Sequence, residues 1–248
     1  MRTLTLAALA LALAAPALAK APMAASYTAA LANPARPEAD KAKDATRKPE
    51  MVLSFLQVKP GQKVGDFVTG GGYFSRILAG AVGPAGKVYA FQPDEFTKFS
   101  ADYAKVPPKL EGEQPNIKGI VTPFAAPAFP EPLDAIVTIQ NFHDLYLKPF
   151  PADTAAKASA ALYAALKPGG VLVVVDHSAP KGTGTAAADG LHRIEASAVI
   201  DALTKAGFKL EASDYTSFAD KADPRTANVF DKSIRGKTDQ FMLRFRKR

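Results

Sequence analysis

The stretch that decides the fold runs from Val64 to Leu78 and reads VGDFVTGGGYFSRIL. A short apolar run that contains Asp66 leads into three consecutive glycines, residues 70–72, and the residues after them have the apolar spacing of a helix. A strand, a glycine turn and a helix in this order predict the first unit of a parallel α/β sheet. In such a sheet the first strand-to-helix turn normally frames a ligand.

The rest of the chain repeats this alternation of apolar strands and amphipathic helices. The predicted strands are 63–67, 87–91, 117–121, 133–140, 171–176, 209–213 and 240–245. The predicted helices are 73–81, 95–106, 153–166 and 194–206, and an earlier helix begins at Asp44. Short turns between these elements predict an α/β fold with a doubly wound, mostly parallel sheet and helices on both faces.

Composition excludes several classes of protein. The chain has 248 residues and no cysteine, which excludes cysteine nucleophiles and zinc–thiolate sites. The formal charge of +7 is modest and, apart from the tail at 244–248, spread along the chain. It therefore favours solubility over nucleic-acid binding, and no nucleic-acid motif is present.

The first residues are typical of a secretory signal peptide. Arg2 gives a positive start, Leu4 to Ala15 are almost all Leu and Ala, and Ala17-Leu18-Ala19 forms a small-x-small cleavage site. Pro16 interrupts the apolar run, which is therefore short for a helix that spans a membrane. A retained membrane anchor is the alternative interpretation of this segment. We therefore expect a signal peptide at 1–19, an N-terminal leader at 20–43 and a domain at 44–248. The mature product is expected to be secreted or periplasmic, without stable membrane insertion.

Four ordered segments carry a resemblance to a known family. They are residues 63–75, 86–91, 133–142 and 165–172, the last of which contains the sequence LKPGG. Together they resemble the class I methyltransferases that use S-adenosylmethionine, over roughly residues 45–215. The glycine triplet followed by an aromatic residue, with NFHD at 141–144 and DHS at 176–178, is similar to a group of predicted exported methyltransferases. The resemblance implies a seven-stranded sheet with an antiparallel final hairpin, S-adenosylmethionine as cofactor, and methyl transfer. A small-molecule substrate is expected, but the sequence does not select between a small phenol, an amine, a carboxylate and a protein side chain as the acceptor.

The resemblance also implies a set of cofactor-binding residues. The residues expected around the methionine part of the cofactor are Asp66, Gly70, Gly71 and Gly72. Gln92 is expected to contact the ribose. Asn141, which follows the fourth strand, and Tyr73, which follows the last glycine, are further candidates for the wall of the pocket. Two positions depart from the family pattern. Val68 replaces the first glycine of the turn, and Gln92 replaces the acidic residue that normally binds both ribose hydroxyls. Asp94 could substitute for that acid if its loop bends back.

All three histidines of the chain, His143, His177 and His192, are predicted beyond the carboxyl ends of the fourth and fifth strands. They are the candidate catalytic residues, with His143 first: near its ordinary pKa it could act as a general base. Methyl transfer also proceeds by positioning alone, so a base is optional. The alternatives are that each histidine hydrogen-bonds a loop, or that the three bind a metal with Asp144 or Asp176.

A function from another class stays open at this stage. Val68, Gln92 and the export signal fit a non-catalytic exported protein that holds a small ligand or a metal on the same fold. Residues 181–185, KGTGT, also suggest a mobile lid, with Arg193 available to an acidic group of a ligand.

Overall fold

The computed structural model describes residues 25–34 and 36–248. The predicted signal peptide at 1–19 and the leader residues 20–24 and 35 lie outside the described residues. The strands are β1 (Lys63–Phe67), β2 (Lys87–Pro93), β3 (Ile117–Thr122), β4 (Leu133–Ile139), β5 (Leu166–His177), β6 (Lys209–Asp214) and β7 (Gln240–Arg246). The helices are α1 (Ala25–Ala32), α2 (Glu38–Lys41), α3 (Asp44–Arg47), α4 (Pro49–Leu56), α5 (Tyr73–Val82), α6 (Val106–Glu113), α7 (Thr154–Ala165), α8 (Ala188–Leu191) and α9 (Ala196–Lys205).

The strands form one seven-stranded sheet in the order β3-β2-β1-β4-β5-β7-β6. Strands β1 to β5 pair in parallel, whereas β7 runs antiparallel to both β5 and β6. The predicted mostly parallel sheet with an antiparallel final hairpin is therefore confirmed. Strand order reverses between β1 and β4, and in open α/β sheets ligands bind beyond the carboxyl ends of the strands at such a reversal.

Two hydrophobic clusters pack against the sheet. Val173 and Val175 of β5 belong to a cluster with apolar residues of α1, α4 and α5, while Leu172 and Val174 belong to a second cluster with residues of α7 and α9. Successive side chains of a strand point to opposite faces. The apolar side chains of β5 therefore pack alternately into the two clusters, as expected for a strand in the interior of a sheet.

The described part of the predicted leader packs closely on the domain. Tyr27 is buried and its hydroxyl donates to the carbonyl of Val58 at 2.6 Å. A Cβ on Gly80 of α5 would lie 2.9 Å from the Cα of Ala30, so the absence of a side chain there lets α1 approach α5. Residues 27 and 30 thus contribute to the first hydrophobic cluster.

The prediction of a single helix over residues 95–106 is wrong. The segment forms two 3-10 turns, Asp94–Lys98 and Ala101–Lys105, and the α-helix starts only at Val106. The side chain of Ser100 accepts from the amide of Asp102 at the start of the second turn. The prolines at 107–108 lie in the first turn of α6, where no amide donor is required, so they mark the start of a helix and not its interior.

None of the helices among residues 25–34 and 36–248 has the length and apolar character that crossing a membrane requires.

Candidate functional site

A cavity of about 530 Å³ opens where the strand order reverses. Asp66 of β1 and Ile139 of β4 lie on its wall, and the segment after β1 and the loop after β4 complete that side. Ligand pockets of small molecules usually measure about 300–1,000 Å³. The position and size of the cavity are those of a small-molecule site.

The glycine turn after β1 has one open half and one packed half. A Cβ on Gly70 or Gly71 would meet nothing within 4 Å, and both residues line the cavity. A Cβ on Gly72 would lie 2.6 Å from the side chain of Leu110, and Gly72 does not line the cavity. Gly70 and Gly71 therefore leave room for a ligand, whereas Gly72 leaves room for helix packing.

Val68 has a backbone conformation that favours glycine. Its φ is +70°, a region in which a β-branched residue is strained. Gln140 and His192 also have positive φ, +62° and +53°. All three line the cavity. Such backbone outliers cluster at functional sites, where the surrounding structure holds them in place.

Asp66 lies at the end of β1, buried, with its carboxylate held by the following helix. The hydroxyl of Ser75 donates to it at 2.6 Å, and Thr69 is 2.6 Å from the same hydroxyl. Burial raises the pKa of Asp66 to about 7 although these hydrogen bonds act against the shift. A cationic group that enters the cavity beside Asp66 would therefore lower this pKa and stabilise the ionised carboxylate.

Two other predicted cofactor residues line the cavity with their polar groups already engaged. Tyr73 donates its hydroxyl to Asp44 at 2.6 Å, and the guanidinium of Arg47 lies 4.7 Å from its ring centroid. Asn141 donates to the carbonyl of Ile139 at 2.6 Å, which holds the loop after β4 against the strand end.

Gln92 is not among the residues that line the cavity. Strand β2 continues to Pro93, so Gln92 pairs with Val121 inside the sheet and not at its end. Its side chain is buried, and within the described chain neither amide atom has a hydrogen-bond partner. The expected strand end at residue 91 is wrong, and the ribose contact of Gln92 stays a prediction. Asp94 is exposed and does not line the cavity.

The structure brings the three histidines together on the other side of the cavity. The ring centroid of His143 lies 6.0 Å from that of His177 and 5.4 Å from that of His192. His143 is buried between two carboxylates: its Nδ1 is 2.7 Å from Asp176 and its Nε2 is 3.1 Å from Asp144. The backbone amide of His143 also donates to Asp176, at 2.9 Å.

The imidazoles of His143 and His177 have opposite electrostatic environments. Burial opposes the charge on His143, but the attraction of Asp176 and Asp144 outweighs it and raises its pKa to about 10. The expectation of an ordinary pKa for His143 is therefore wrong. The carboxylate of Asp176, which is distant in sequence, and that of the adjacent Asp144 both contact its ring. Burial lowers the pKa of His177 to about 3, and its Nδ1 is 2.7 Å from the hydroxyl of Thr238.

Two further sequence expectations about this face are corrected. Arg193 is fully buried and pairs with Asp223 through both terminal nitrogens, at 2.8 and 2.9 Å, so it stabilises the fold and does not face a ligand. The loop expected as a mobile lid is held by Glu195, which accepts from the amides of Gly182 and Gly184 at 2.7 and 2.8 Å.

Sequence reasoning missed the apolar wall of the cavity. The side chains that form it are Phe96, Phe99, Tyr103, Leu147, Val229 and Phe230. Phe99 and Phe230 are 53% and 58% exposed, which is unusual for large apolar residues and leaves an apolar rim at the cavity. The spacing of residues 96, 99 and 103 is also that of an ordinary amphipathic helix, so it indicated packing as readily as ligand contact.

The comparisons with known proteins agree with this geometry. No family model matches the sequence, and no curated protein matches it. A methyltransferase from Aquifex aeolicus that depends on S-adenosylmethionine aligns with a TM-score of 0.57 and 20% identity, over 85% of this chain and 96% of that chain. The [4+2]-cyclase SpnF aligns at 0.57 and 18%, over 82% and 80%. Fibrillarin from Aeropyrum pernix, solved with natively bound S-adenosylmethionine, aligns at 0.52 and 12%, over 82% and 76%. The chain therefore has the Rossmann-like fold of the class I S-adenosylmethionine-dependent methyltransferases.

Proposed function

We propose that the protein is an exported methyltransferase that uses S-adenosylmethionine and acts on a small-molecule acceptor. The observation that carries the proposal is the open glycine cradle of Gly70 and Gly71 beside the buried carboxylate of Asp66, at the point where strand order reverses. The fold, with helices inferred on both faces of the sheet, agrees with it. Similar solved structures include a methyltransferase of this class and a protein with the cofactor bound.

The residues around the cradle suit the methionine part of the cofactor. Gly70 and Gly71 give close access to backbone, and Asp66 would accept from an ammonium group. Tyr73 and Asn141 would border this end of the ligand, while Gln92, inside β2, stays the residue that the sequence predicts for the ribose. When bound, S-adenosylmethionine supplies an activated methyl group that an in-line displacement transfers to a nucleophile.

The opposite side of the cavity suits the acceptor. Its wall combines the exposed ring of Phe230, which packs against His192, with the polar cluster of His143, His177 and His192. Such a surface fits a molecule with an apolar body and one polar group. The role we assign to the histidines is to orient that polar group, and the acceptor class among phenols, amines and carboxylates stays open.

Calorimetry with the mature protein tests the cofactor proposal. We expect S-adenosylmethionine and S-adenosylhomocysteine to bind with micromolar dissociation constants, about −8 kcal/mol. Gly71→Val fills the open half of the turn without requiring a positive φ, so it should weaken binding at least tenfold, about 1.4 kcal/mol. Gly112→Val is the matched control, because Gly112 also has open space around its Cβ position and does not line the cavity. No binding at millimolar ligand would contradict the proposal.

Export has its own test. The proposed signal peptide at 1–19 predicts that a Gram-negative host expressing the full chain accumulates protein beginning at Lys20 in the periplasm. N-terminal sequencing of the periplasmic fraction checks this. Recovery only of cytoplasmic protein with residues 1–19 still attached would contradict export.

One observation favours the non-catalytic alternative. Among the described residues, the part of the cavity wall that follows β2, contributed by Phe96, Phe99 and Tyr103, holds no carboxylate for the ribose hydroxyls. A protein that only binds a small ligand would show ligand affinity without turnover on a panel of phenols, amines and carboxylates. The enzyme proposal instead predicts turnover, with His143→Ala still binding the cofactor but transferring methyl groups slowly.

A further inference from the structure

We propose that His143, Asp144 and His192 bind a divalent first-row transition metal ion, with zinc as the ion to test first. The proposal goes beyond methyl transfer and does not depend on it, because no cofactor residue takes part in the site. It also narrows the wider metal hypothesis raised by the sequence, since His177 and Asp176 are not among the ligands.

The three candidate ligand atoms converge on one point. Nε2 of His143 is 3.1 Å from Oδ1 of Asp144, Nδ1 of His192 is 3.8 Å from the same oxygen, and all three atoms lie within 4.8 Å of one another. Zinc binds nitrogen and oxygen at about 2.0–2.2 Å, so tetrahedral ligand atoms stand roughly 3.4 Å apart. The cluster therefore needs to contract by no more than about 1.4 Å in its widest pair.

The neighbours of His143 fix which nitrogen is available. Asp176 takes Nδ1 at 2.7 Å and also accepts from the backbone amides of His143 and His177, at 2.9 and 2.7 Å. Nε2 is left to face Asp144 and the cavity. Histidines that bind metals in proteins commonly have this arrangement, with a carboxylate on the other ring nitrogen to fix the ring and raise its basicity.

His192 is the ligand that can move to close the site. Its side chain is 23% exposed, against 3% for His143, and it follows α8 with φ at +53°. The ring of Phe230 packs edge-on against it with centroids 4.8 Å apart. The left-handed conformation carries a steric cost for histidine, and it places the imidazole beside Asp144 on the cavity wall.

The chemistry of the set selects the class of ion. Two imidazoles and one carboxylate suit zinc or ferrous iron, and three protein ligands leave a coordination position for a water or a ligand oxygen. His143, Asp144 and His192 all line the cavity, so that position would face the side proposed for the acceptor. His177 is left out of the set because, among the described residues, the ligand atoms that converge within 4.8 Å of one another are those of His143, Asp144 and His192.

Untagged mature protein, stripped with a chelator and titrated with zinc chloride, tests the proposal. We expect one zinc per chain, bound with a micromolar or tighter dissociation constant. His192→Asn tolerates the left-handed backbone and removes the imidazole, and Asp144→Asn keeps the shape of the side chain; each should weaken zinc at least tenfold. Asp176→Asn should weaken it about 10–100-fold through the ring of His143.

Asp189→Asn is the control, because Asp189 is a nearby carboxylate that bonds Lys148 and does not line the cavity. Circular dichroism and thermal unfolding of each apo variant establish that it is folded. Zinc affinity unchanged in both His192→Asn and Asp144→Asn, or binding far below one ion per chain in wild type, would overturn the proposal. Zinc binding in a protein that does not bind S-adenosylmethionine would leave the metal site standing and remove the methyltransferase proposal.

Discussion

Val68 stores backbone strain that a pair of substitutions can measure. At an ordinary buried position, replacing valine by glycine lowers the free energy of unfolding by about 1.2–1.8 kcal/mol more than replacing it by alanine. About 0.8 kcal/mol of this difference is the burial of the alanine methyl group, and about 0.4–1 kcal/mol is the greater conformational entropy that glycine gives the unfolded chain. With φ at +70°, glycine recovers the roughly 1–2 kcal/mol that a Cβ costs there. The two effects nearly cancel. We expect Val68→Gly and Val68→Ala to have equal free energies of unfolding within about 0.8 kcal/mol.

Val229 provides the matched control for this experiment. It is 5% exposed against 4% for Val68, lies in a loop beside the same cavity, and is not among the residues with positive φ. Urea unfolding of the four variants, followed by circular dichroism and compared at equal m-values, gives the two differences. Val229→Gly should be less stable than Val229→Ala by the full 1.2–1.8 kcal/mol or so. A glycine penalty of the same size at Val68 would refute the argument that the left-handed valine is strained.

Three further substitutions test the environment of the site. The folded chain holds a proton on Asp66 up to about pH 7, whereas the unfolded chain releases it near the ordinary value of 3.8, so stability should fall as pH rises between these values. Asp66→Asn should remove that fall, which amounts to at most about 3 kcal/mol between pH 5 and pH 8, as measured by thermal unfolding at these two pH values. Arg193→Met leaves Asp223 buried without its partner and should cost about 3–5 kcal/mol in urea unfolding; a loss below about 1 kcal/mol would contradict the role of the pair. Gly72→Ala meets both a φ of +84° and the side chain of Leu110, so we expect a loss of about 2–4 kcal/mol, and unchanged stability would show that α6 moves freely.

The strands were predictable because their signal is local. The run of residues 171–175 is apolar without interruption, a pattern expected of a strand that is buried on both faces. Lys167-Pro168-Gly169-Gly170 precedes this run, with Gly169 at φ +77° where a side chain is disfavoured, but β5 already begins at Leu166 and not at the expected residue 171. By contrast, Phe96 packs on Phe124 with ring centroids 5.3 Å apart, and this contact between distant segments shapes the turns that replace the predicted helix.

The candidate site was predictable in position but not in electrostatics. Asp66 and the glycine turn follow β1 directly, and the rule that ligands bind where strand order reverses places them at the cavity. The environment of His143 depends on Asp176 lying beside its ring, and that position follows from the register of β5 against β4. The burial of Gln92 depends on β2 extending two residues further than its apolar run indicates. Neither register nor strand end is encoded in the residue pattern near the site.

Strand β7 is the last of the described strands in sequence but lies inside the sheet, between β5 and β6. Lys209–Asp214 pairs with no strand other than Gln240–Arg246 among the described residues, so β6 has no place in the sheet until β7 is present. A chain that leaves the ribosome from its N-terminus therefore completes β1 to β5 while one edge of β5 is still unpaired. Unpaired apolar edges attract other chains, which makes this interval the one in which a chaperone is most useful. The sheet can therefore close only after residues 240–246 have been synthesised.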